Sequence, residues 1–251
     1  MAKLCSHLFI FMLSQYYFLP CLAIDRQNIT TDELALLAFK SFITSDPYHI
    51  FKNWSTSSSS SSCNWPGITC DESHGRVKAL NLSNRGLEGT ISRQLGNLSF
   101  LVELDLHGNS FYGHLPQELF QLHQLKLLDL SNNKFDGGIS TVIGDLSNLQ
   151  HLNLGRNNFI GFAPQSLYNL SKLEHLNCSF NIIKGTIPSK IDQLQQLEIL
   201  DMRNNTLSGI IPPTITNMSL LEEIHLSYNS LSGMNMQLAV HLHVRKFVKK
   251  L

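Results

Sequence analysis

The 251-residue sequence lacks an excess of charge of either sign, because 19 lysines and arginines balance 19 aspartates and glutamates. A chain without net charge has no overall field to attract nucleic acid or an anionic membrane. No nucleophile, base and orienting group are arranged in a recognisable catalytic motif. These absences disfavour a nucleic-acid-binding protein and an enzyme, so a binding site must be sought in local patterns.

Long apolar runs are also missing, and the most apolar stretch lies within residues 1–23. Lys3 is an early cation, a short apolar stretch follows, and the small residue Ala23 precedes the polar Asp25. The stretch is too short for a comfortable bilayer span, so it predicts a cleaved signal peptide, with an uncleaved anchor as the alternative. We therefore expect a secreted chain that enters an oxidising compartment.

Cysteine is scarce, with five in the chain. Cleavage after Ala23 would remove Cys5 and Cys21. Cys63 and Cys70 lie close together in sequence, which predicts a local disulfide in a secreted protein. Eight Asn-x-Ser/Thr triplets are candidate glycosylation sites, and they begin at Asn28, Asn53, Asn81, Asn97, Asn169, Asn177, Asn204 and Asn217.

A period of 24 residues organises most of the chain. Leucines recur at this step without gap or insertion at Leu101, Leu125, Leu149, Leu173, Leu197 and Leu221. Asparagines recur at the same step at Asn109, Asn133, Asn157, Asn181, Asn205 and Asn229. The period lies in the range of leucine-rich repeats, in which each unit buries its apolar edge only by stacking on its neighbours.

One unit illustrates the local structure that this pattern predicts. Leu104 and Leu106 alternate with polar residues, which predicts a short strand with its leucines inward. Asn109 follows at a turn, where its amide can bond backbone groups that lack a ladder partner, and Gly113 supplies a permissive backbone position. Cys178 occupies the inward slot of Leu106, so we expect a small buried hydrophobe, with a reactive thiol as the alternative.

We therefore predict an α/β leucine-rich-repeat solenoid with short parallel strands on the concave face, 3-10 or loop segments on the convex face and a helical N-terminal cap. The residues from Thr30 to Glu33 resemble a capping box, and residues 34–42 have helical apolar spacing. The predicted division is a signal peptide over 1–23, a cap over 24–76, seven units over 77–233, the last incomplete, and a divergent basic tail over 234–251.

The chain resembles plant leucine-rich-repeat receptor-like kinases, and among them the class that senses bacterial elicitors. The resemblance rests on the helical run, on Asn53 and Trp54, on Cys-Asn-Trp-Pro-Gly-Ile-Thr-Cys from Cys63 to Cys70, and on Leu-x-Gly-x-Ile-Pro in the repeats. It implies an extracellular module in defence or developmental signalling that binds a peptide or protein ligand, with a co-receptor ectodomain as a further partner.

The sequence departs from that family in several places. Arg85 takes the place of the turn asparagine in the first unit, Ser92 and Ser140 replace proline, and the pattern ends after Gly233. The glycine-rich loop, catalytic Asp and Asp-Phe-Gly of a kinase are missing from the sequence, so we expect no enzyme activity. We expect a truncated receptor ectodomain whose full-length form sits in the plasma membrane. The alternatives are a short secreted protein resembling polygalacturonase inhibitors and a non-functional fragment.

The outward strand positions predict where a ligand would bind, because parallel strands display a grid of side chains along an extended chain. The candidate residues lie on three adjacent columns and just beyond them: Glu103, Asp105, His107, Leu127, Asp129, His151, Arg156, His175, Phe180, Ile199, Asp201, Arg203, His225 and Tyr228. His151 and His175 are neighbours without a third ligand nearby, so we predict no metal and no cofactor. Glycosylation of Asn81 or Asn177 would place a sugar on this face.

Overall fold

The computed structural model describes residues 31–56, 61–232 and 246–247. The predicted signal peptide over 1–23, the sequon at Asn28 and most of the predicted tail over 234–251 lie outside these ranges. Within them, no helix combines the length and the apolar character that crossing a bilayer would require.

The predicted inward-leucine strands form one sheet, which we call the concave sheet. Its first two strands are antiparallel, and from Val77–Asn81 onward all neighbours within the described residues are parallel. The leucines point inward and are fully buried, whereas the intervening polar residues face outward. The strands are Ile68–Cys70, Val77–Asn81, Glu103–Asp105, Leu127–Asp129, His151–Asn153, His175–Asn177, Ile199–Asp201, Glu223–His225 and Lys246–Phe247.

A second sheet, which the sequence analysis did not predict, lies just after the asparagine turns. In each unit an inward aromatic or aliphatic residue alternates with exposed neighbours, as Phe159 does between Asn158 and Ile160, and this period of two favours a strand. Its first pair is antiparallel and the rest are parallel. The strands are Ile43–Ser45, Glu88–Gly89, Ser110–Gly113, Lys134–Gly138, Asn158–Phe162, Ile182–Gly185, Thr206–Ile210 and Ser230–Ser232.

The convex side consists of short 3-10 helices, as predicted. Six of them repeat along the array, and two precede it at Ile50–Asn53 and Ser62–Asn64. The two serines that replace proline cap their helices, because Ser92 Oγ accepts from Gln94 N and Ser140 Oγ from Val142 N. The repeating helices are Arg93–Asn97, Gln117–Gln121, Thr141–Asp145, Gln165–Asn169, Ser189–Gln193 and Pro213–Asn217.

A continuous apolar core runs along the array between these three layers. Phe111, Phe135 and Phe159 stack from unit to unit, with ring centroids 6.1 and 6.4 Å apart. Cys178 is a free thiol with 0% exposure, which confirms the predicted buried hydrophobe. Burial, with a smaller contribution from the charge of Asp201, raises the pKa of the Cys178 thiol to about 12, so the nucleophilic thiolate is suppressed.

The predicted asparagine turns are confirmed as a hydrogen-bonded ladder. Asn157 Nδ2 donates to the carbonyl oxygens of Leu130 and Leu154 at 2.9 and 3.1 Å. Asn157 Oδ1 accepts from the backbone N–H of Phe135, in the preceding unit, at 3.0 Å. The same pattern recurs from Asn109 to Asn229. Each amide therefore satisfies backbone groups of two units at once, where an unpaired buried group would cost about 1–3 kcal/mol.

The N-terminal cap is joined to the array by contacts that do not repeat. The helix described over residues 31–41 carries Asp32, which is 1% exposed. Its carboxylate accepts from Arg76 Nε and Nη2 at 2.8 and 2.7 Å and from the Val77 N–H at 2.9 Å. The predicted disulfide between Cys63 and Cys70 is confirmed.

Candidate ligand-binding face

The concave sheet aligns the predicted columns residue by residue. Glu103 pairs with Leu127, which in turn pairs with His151, and the same column continues through His175 and Ile199. The next column passes from Asp105 through Asp129 to Asp201 and His225 in the same register. Because neighbouring strands lie about 4.8 Å apart, the candidate side chains form a regularly spaced grid on one face of the sheet.

A groove of about 410 Å³ crosses this grid. Its walls include both apolar and polar side chains, and it reaches from the third concave strand of the repeats to the seventh. Of the predicted residues it brings together Leu127, Asp129, His151, His175, Ile199, Asp201, Arg203 and His225. It also includes Asn153, Asn177 and Glu223, which the sequence analysis did not select.

Aspartate side chains in the groove already accept hydrogen bonds from neighbouring residues of the fold. Asp129 Oδ1 accepts from the backbone N–H and the hydroxyl of Ser131 at 2.9 and 2.6 Å. Asp201 is 5% exposed, and its Oδ2 accepts from Arg203 Nε and Nη2 at 3.0 and 2.7 Å. Asp105, which lies outside the groove, caps its own strand end in the same way and accepts from His107 N. These carboxylates terminate strands, which leaves them less able to bind a ligand than their sequence position suggests.

Histidines and glutamates form pairs across neighbouring units. The rings of His151 and His175 lie edge to face, with centroids 4.6 Å apart. His151 Nε2 is 3.7 Å from Glu174 Oε2, and His175 Nε2 is 3.6 Å from Glu198 Oε2. Neither glutamate is among the predicted residues, because both precede the strand columns by one residue. Among the described residues, no group of three His, Cys, Asp or Glu side chains is placed to hold a metal.

A second depression, which we call the cleft, adjoins the groove and has a volume of about 290 Å³. It is lined by the predicted residues His107, Arg156, Phe180 and Arg203. The guanidinium carbon of Arg156 lies 4.1 Å from the centre of the Phe180 ring, and that of Arg203 lies 6.0 Å from it. Both guanidinium groups are therefore within the range in which a cation is attracted to an aromatic ring.

The residue just before each ladder position has a left-handed backbone, and we call this series the left-handed column. Its φ values run from 53° to 69°, and its members are Asn84, Gly108, Asn132, Arg156, Phe180, Asn204 and Tyr228. Glycine and asparagine adopt this conformation readily, whereas other L-residues pay about 1–2 kcal/mol. The three costly residues, Arg156, Phe180 and Tyr228, were all selected as candidates from the sequence. Of all the predicted residues, Tyr228, Glu103 and Asp105 line neither the groove nor the cleft.

The described sequons divide between the faces. Asn97, Asn169 and Asn217 each end a 3-10 helix on the convex side and are exposed, and Asn53 is also exposed. Asn81 and Asn177 stand on the concave sheet, and Asn204 lies in the left-handed column. A glycan on Asn177 would stand inside both the groove and the cleft.

One cluster has the residue types of a hydrolase triad without its geometry. Ser73 Oγ and Asp71 Oδ2 both lie 2.7 Å from the same nitrogen, His74 Nδ1. A catalytic relay needs the serine and the carboxylate on opposite ring nitrogens. The hydrogen bonds from Ser73 and then His74 hold the pKa of Asp71 well below its usual range, as expected for a carboxylate that closes a turn.

This face, with its stacked repeats and capped first unit, is that of a leucine-rich-repeat solenoid. A family model described as "Leucine rich repeat N-terminal domain" matches residues 29–71. A model described as "Leucine Rich Repeat" matches residues 100–122, 124–146, 148–170, 172–194 and 196–218. These matches cover more than half of the chain, which therefore belongs to the leucine-rich-repeat family.

The relatives are plant receptor kinases. The chain is 41% identical over 102 residues to the LRR receptor-like serine/threonine-protein kinase EFR of Arabidopsis thaliana, which covers 40% of this chain and 10% of EFR. Its structure matches that of PEPR1 in the PEPR1–AtPEP1 crystal structure with a TM-score of 0.76 and 35% identity over 80% of this chain and 28% of PEPR1.

A second solved structure contains the Arabidopsis receptor kinase HAESA with the peptide hormone IDA and the co-receptor SERK1. It matches with a TM-score of 0.74 and 28% identity over 84% of this chain and 40% of that one. The matched segments span about a tenth of the length of the curated relatives, so the resemblance concerns a part of each receptor.

Proposed function

We propose that this chain is an extracellular recognition module that binds an extended peptide or protein segment along its concave sheet. The observation that carries the proposal is the groove, in which eight of the predicted residues meet on aligned strands. Leu127 and Ile199 offer apolar contact, while Arg203 and the paired histidines offer polar contact. Such a mixture of apolar anchors and directional polar groups is typical of peptide-binding surfaces.

The relatives support a peptide as the ligand. PEPR1 was crystallised with AtPEP1, and HAESA with the peptide hormone IDA and the co-receptor SERK1. We extend from them the proposal that this chain also binds a peptide and contacts a co-receptor ectodomain. We further propose that it is secreted by means of a signal peptide over residues 1–23, and that the chain recognises its ligand without catalysing a reaction.

Site-specific crosslinking tests the proposal. The photoreactive residue p-benzoylphenylalanine would replace Ile199, which lines the groove, in the full chain exposed to extracellular plant fluid. The matched control places it at Leu220, which is 45% exposed and lies just after a convex 3-10 helix. We expect one or more peptides to crosslink at position 199 and not at 220, and excess unlabelled chain to compete. Equal crosslinking at both positions, or none at 199, would rule out binding in the groove.

A further inference from the structure

The left-handed column holds three residues that the fold disfavours there. At Arg156 the left-handed backbone carries the hydrogen-bond ladder around a turn, because Arg156 N donates to Ser179 O and Arg156 O accepts from Asn133 N. Four of the seven positions carry Asn or Gly, which suit this conformation. Arg156 and Phe180 carry other side chains at this position, and they belong to neighbouring units. Backbone strain retained at neighbouring positions points to a use for the side chains.

The geometry of the two side chains indicates that use. The guanidinium carbon of Arg156 lies over the Phe180 ring, 4.1 Å from its centre, and this cation–π contact limits the rotation of the guanidinium. Arg203, whose guanidinium carbon lies 6.0 Å from the centre of the same ring, is already paired with Asp201. Arg156 makes no hydrogen bond or ion pair that would occupy its donors within the described ranges 31–56 and 61–232. The Arg156 guanidinium is therefore held in place, and its N–H donors remain available to a ligand.

The floor beside Arg156 is open because residue 155 is glycine. A Cβ atom at Gly155 would stand 3.0 Å from both Asn177 Nδ2 and Oδ1, so a side chain there would crowd the cleft. The neighbouring walls carry Ser131, Asn132 and Asn153. At about 290 Å³ the cleft is at the small end of ligand sites, and it suits one side chain or one chain end rather than a whole ligand.

We propose that Arg156, held on Phe180, binds a single carboxylate of the extended peptide that occupies the groove. A planar guanidinium pairs with a carboxylate through two parallel N–H···O bonds, and a fork already fixed in place loses less freedom on binding. This inference rests on the proposed function and adds to it the chemical group that the cleft recognises. The carboxylate comes from an Asp or Glu side chain or from the C-terminus of the peptide.

The test uses the full chain with nitrogen-15-labelled arginine and follows the Nε–Hε resonances by NMR. The probes are acetyl-Gly-Asp-Gly-amide, its uncharged counterpart acetyl-Gly-Asn-Gly-amide, and acetyl-Gly-Asn-Gly with a free C-terminus. We expect a saturable shift of the Arg156 signal with one or both carboxylate probes, at an affinity about tenfold above that of the uncharged probe. Whichever carboxylate probe binds identifies the source. Arg93, exposed on a convex 3-10 helix, is the reference signal and should not move.

Two variants separate the role of Arg156 from that of the fold. Arg156→Asn should abolish the carboxylate preference, whereas the matched Arg93→Asn should preserve it. Phe180→Asn retains Arg156 and a residue suited to the left-handed backbone, so the fold should persist while carboxylate affinity falls severalfold. An equal response of Arg93 and Arg156, equal binding of the Asp and Asn probes, or unchanged affinity in Phe180→Asn would overturn the proposal.

Failure here is distinguishable from failure of the proposed function. Crosslinking at position 199 does not depend on charge at the cleft. Crosslinking of a peptide at position 199 without a carboxylate preference at the cleft would support the proposed function and reject the role of Arg156 in it. Absence of both results would remove the groove as a binding site.

Discussion

The N-terminal cap and the repeat array are stabilised in opposite ways. In the cap, each stabilising contact occurs once, such as the ion pair of Asp32 with Arg76 and the disulfide between Cys63 and Cys70. Trp54 also stacks on Trp65 there, with ring centroids 5.2 Å apart. In the array, the same leucine and asparagine contacts recur every 24 residues. A contact that occurs once has no substitute, whereas a repeated contact shares its stability with neighbouring units.

The largest expected effect tests the cap. Asp32→Ala leaves Arg76 buried without its partner and the Val77 N–H unsatisfied, so we expect a loss of about 3–5 kcal/mol in the free energy of unfolding. Urea denaturation followed by circular dichroism measures it. The control is Asp201→Asn at the partly exposed pair with Arg203, whose side chain is 40% exposed, where the loss should be clearly smaller. A loss below about 1 kcal/mol for Asp32→Ala would show that the buried pair does not hold the cap.

The next prediction addresses the array. Asn157→Ala removes donors to Leu130 and Leu154 and the acceptor for Phe135 N, and we expect a loss of about 2–4 kcal/mol. Asn229→Ala, near the end of the described repeats, should cost less because Asn229 is only half-buried, so water can replace part of its bonding. Equal losses at both positions in the same denaturation experiment would contradict the view that neighbouring units set the cost.

The disulfide ranks third. Replacing Cys63 and Cys70 together by Ser opens a loop with a sequence separation of 7, and closing so short a loop contributes about 2–3 kcal/mol in the chain-entropy model. We expect a corresponding fall in the free energy of unfolding. Dithiothreitol should lower the stability of the native chain to the same value and leave the double variant unchanged. A further fall on reduction of the double variant would show that the disulfide is not the reducible element.

The smallest effect has the opposite sign. Tyr228 is 66% exposed with a φ of 57°, so Tyr228→Asn relieves backbone strain at little cost in packing and should stabilise the fold by about 1 kcal/mol. Leu220→Asn, also exposed but without a left-handed backbone, should change the free energy of unfolding by no more than about 0.5 kcal/mol, and urea denaturation of both variants measures the difference. Destabilisation by Tyr228→Asn would mean that the tyrosine packs against the fold in a way that outweighs the strain.

The positions of the side chains on the concave face were largely predictable from sequence. The hydrogen bonds and ion pairs that those side chains make were not. The strict 24-residue step places His151, His175 and Ile199 in one column whatever the surrounding structure. The step does not show that the carboxylate oxygens of Asp129 and Asp201 accept hydrogen bonds at the ends of their strands, because those bonds depend on local turn geometry. The pairing of His151 with Glu174 was not predicted either. The two residues belong to neighbouring units, and Glu174 lies one residue before the column that contains His151.

By itself the sequence determined the period, the inward leucines, the asparagine ladder and the Cys63–Cys70 pair, because each of these follows from residues close together in the chain or from exact repetition. Only the tertiary structure decided the second sheet, the buried pair of Asp32 and Arg76, and the stacking of Arg156 on Phe180. These features depend on backbone dihedrals and on contacts between separate units. Repetition specifies where each unit lies, and packing decides what its side chains touch.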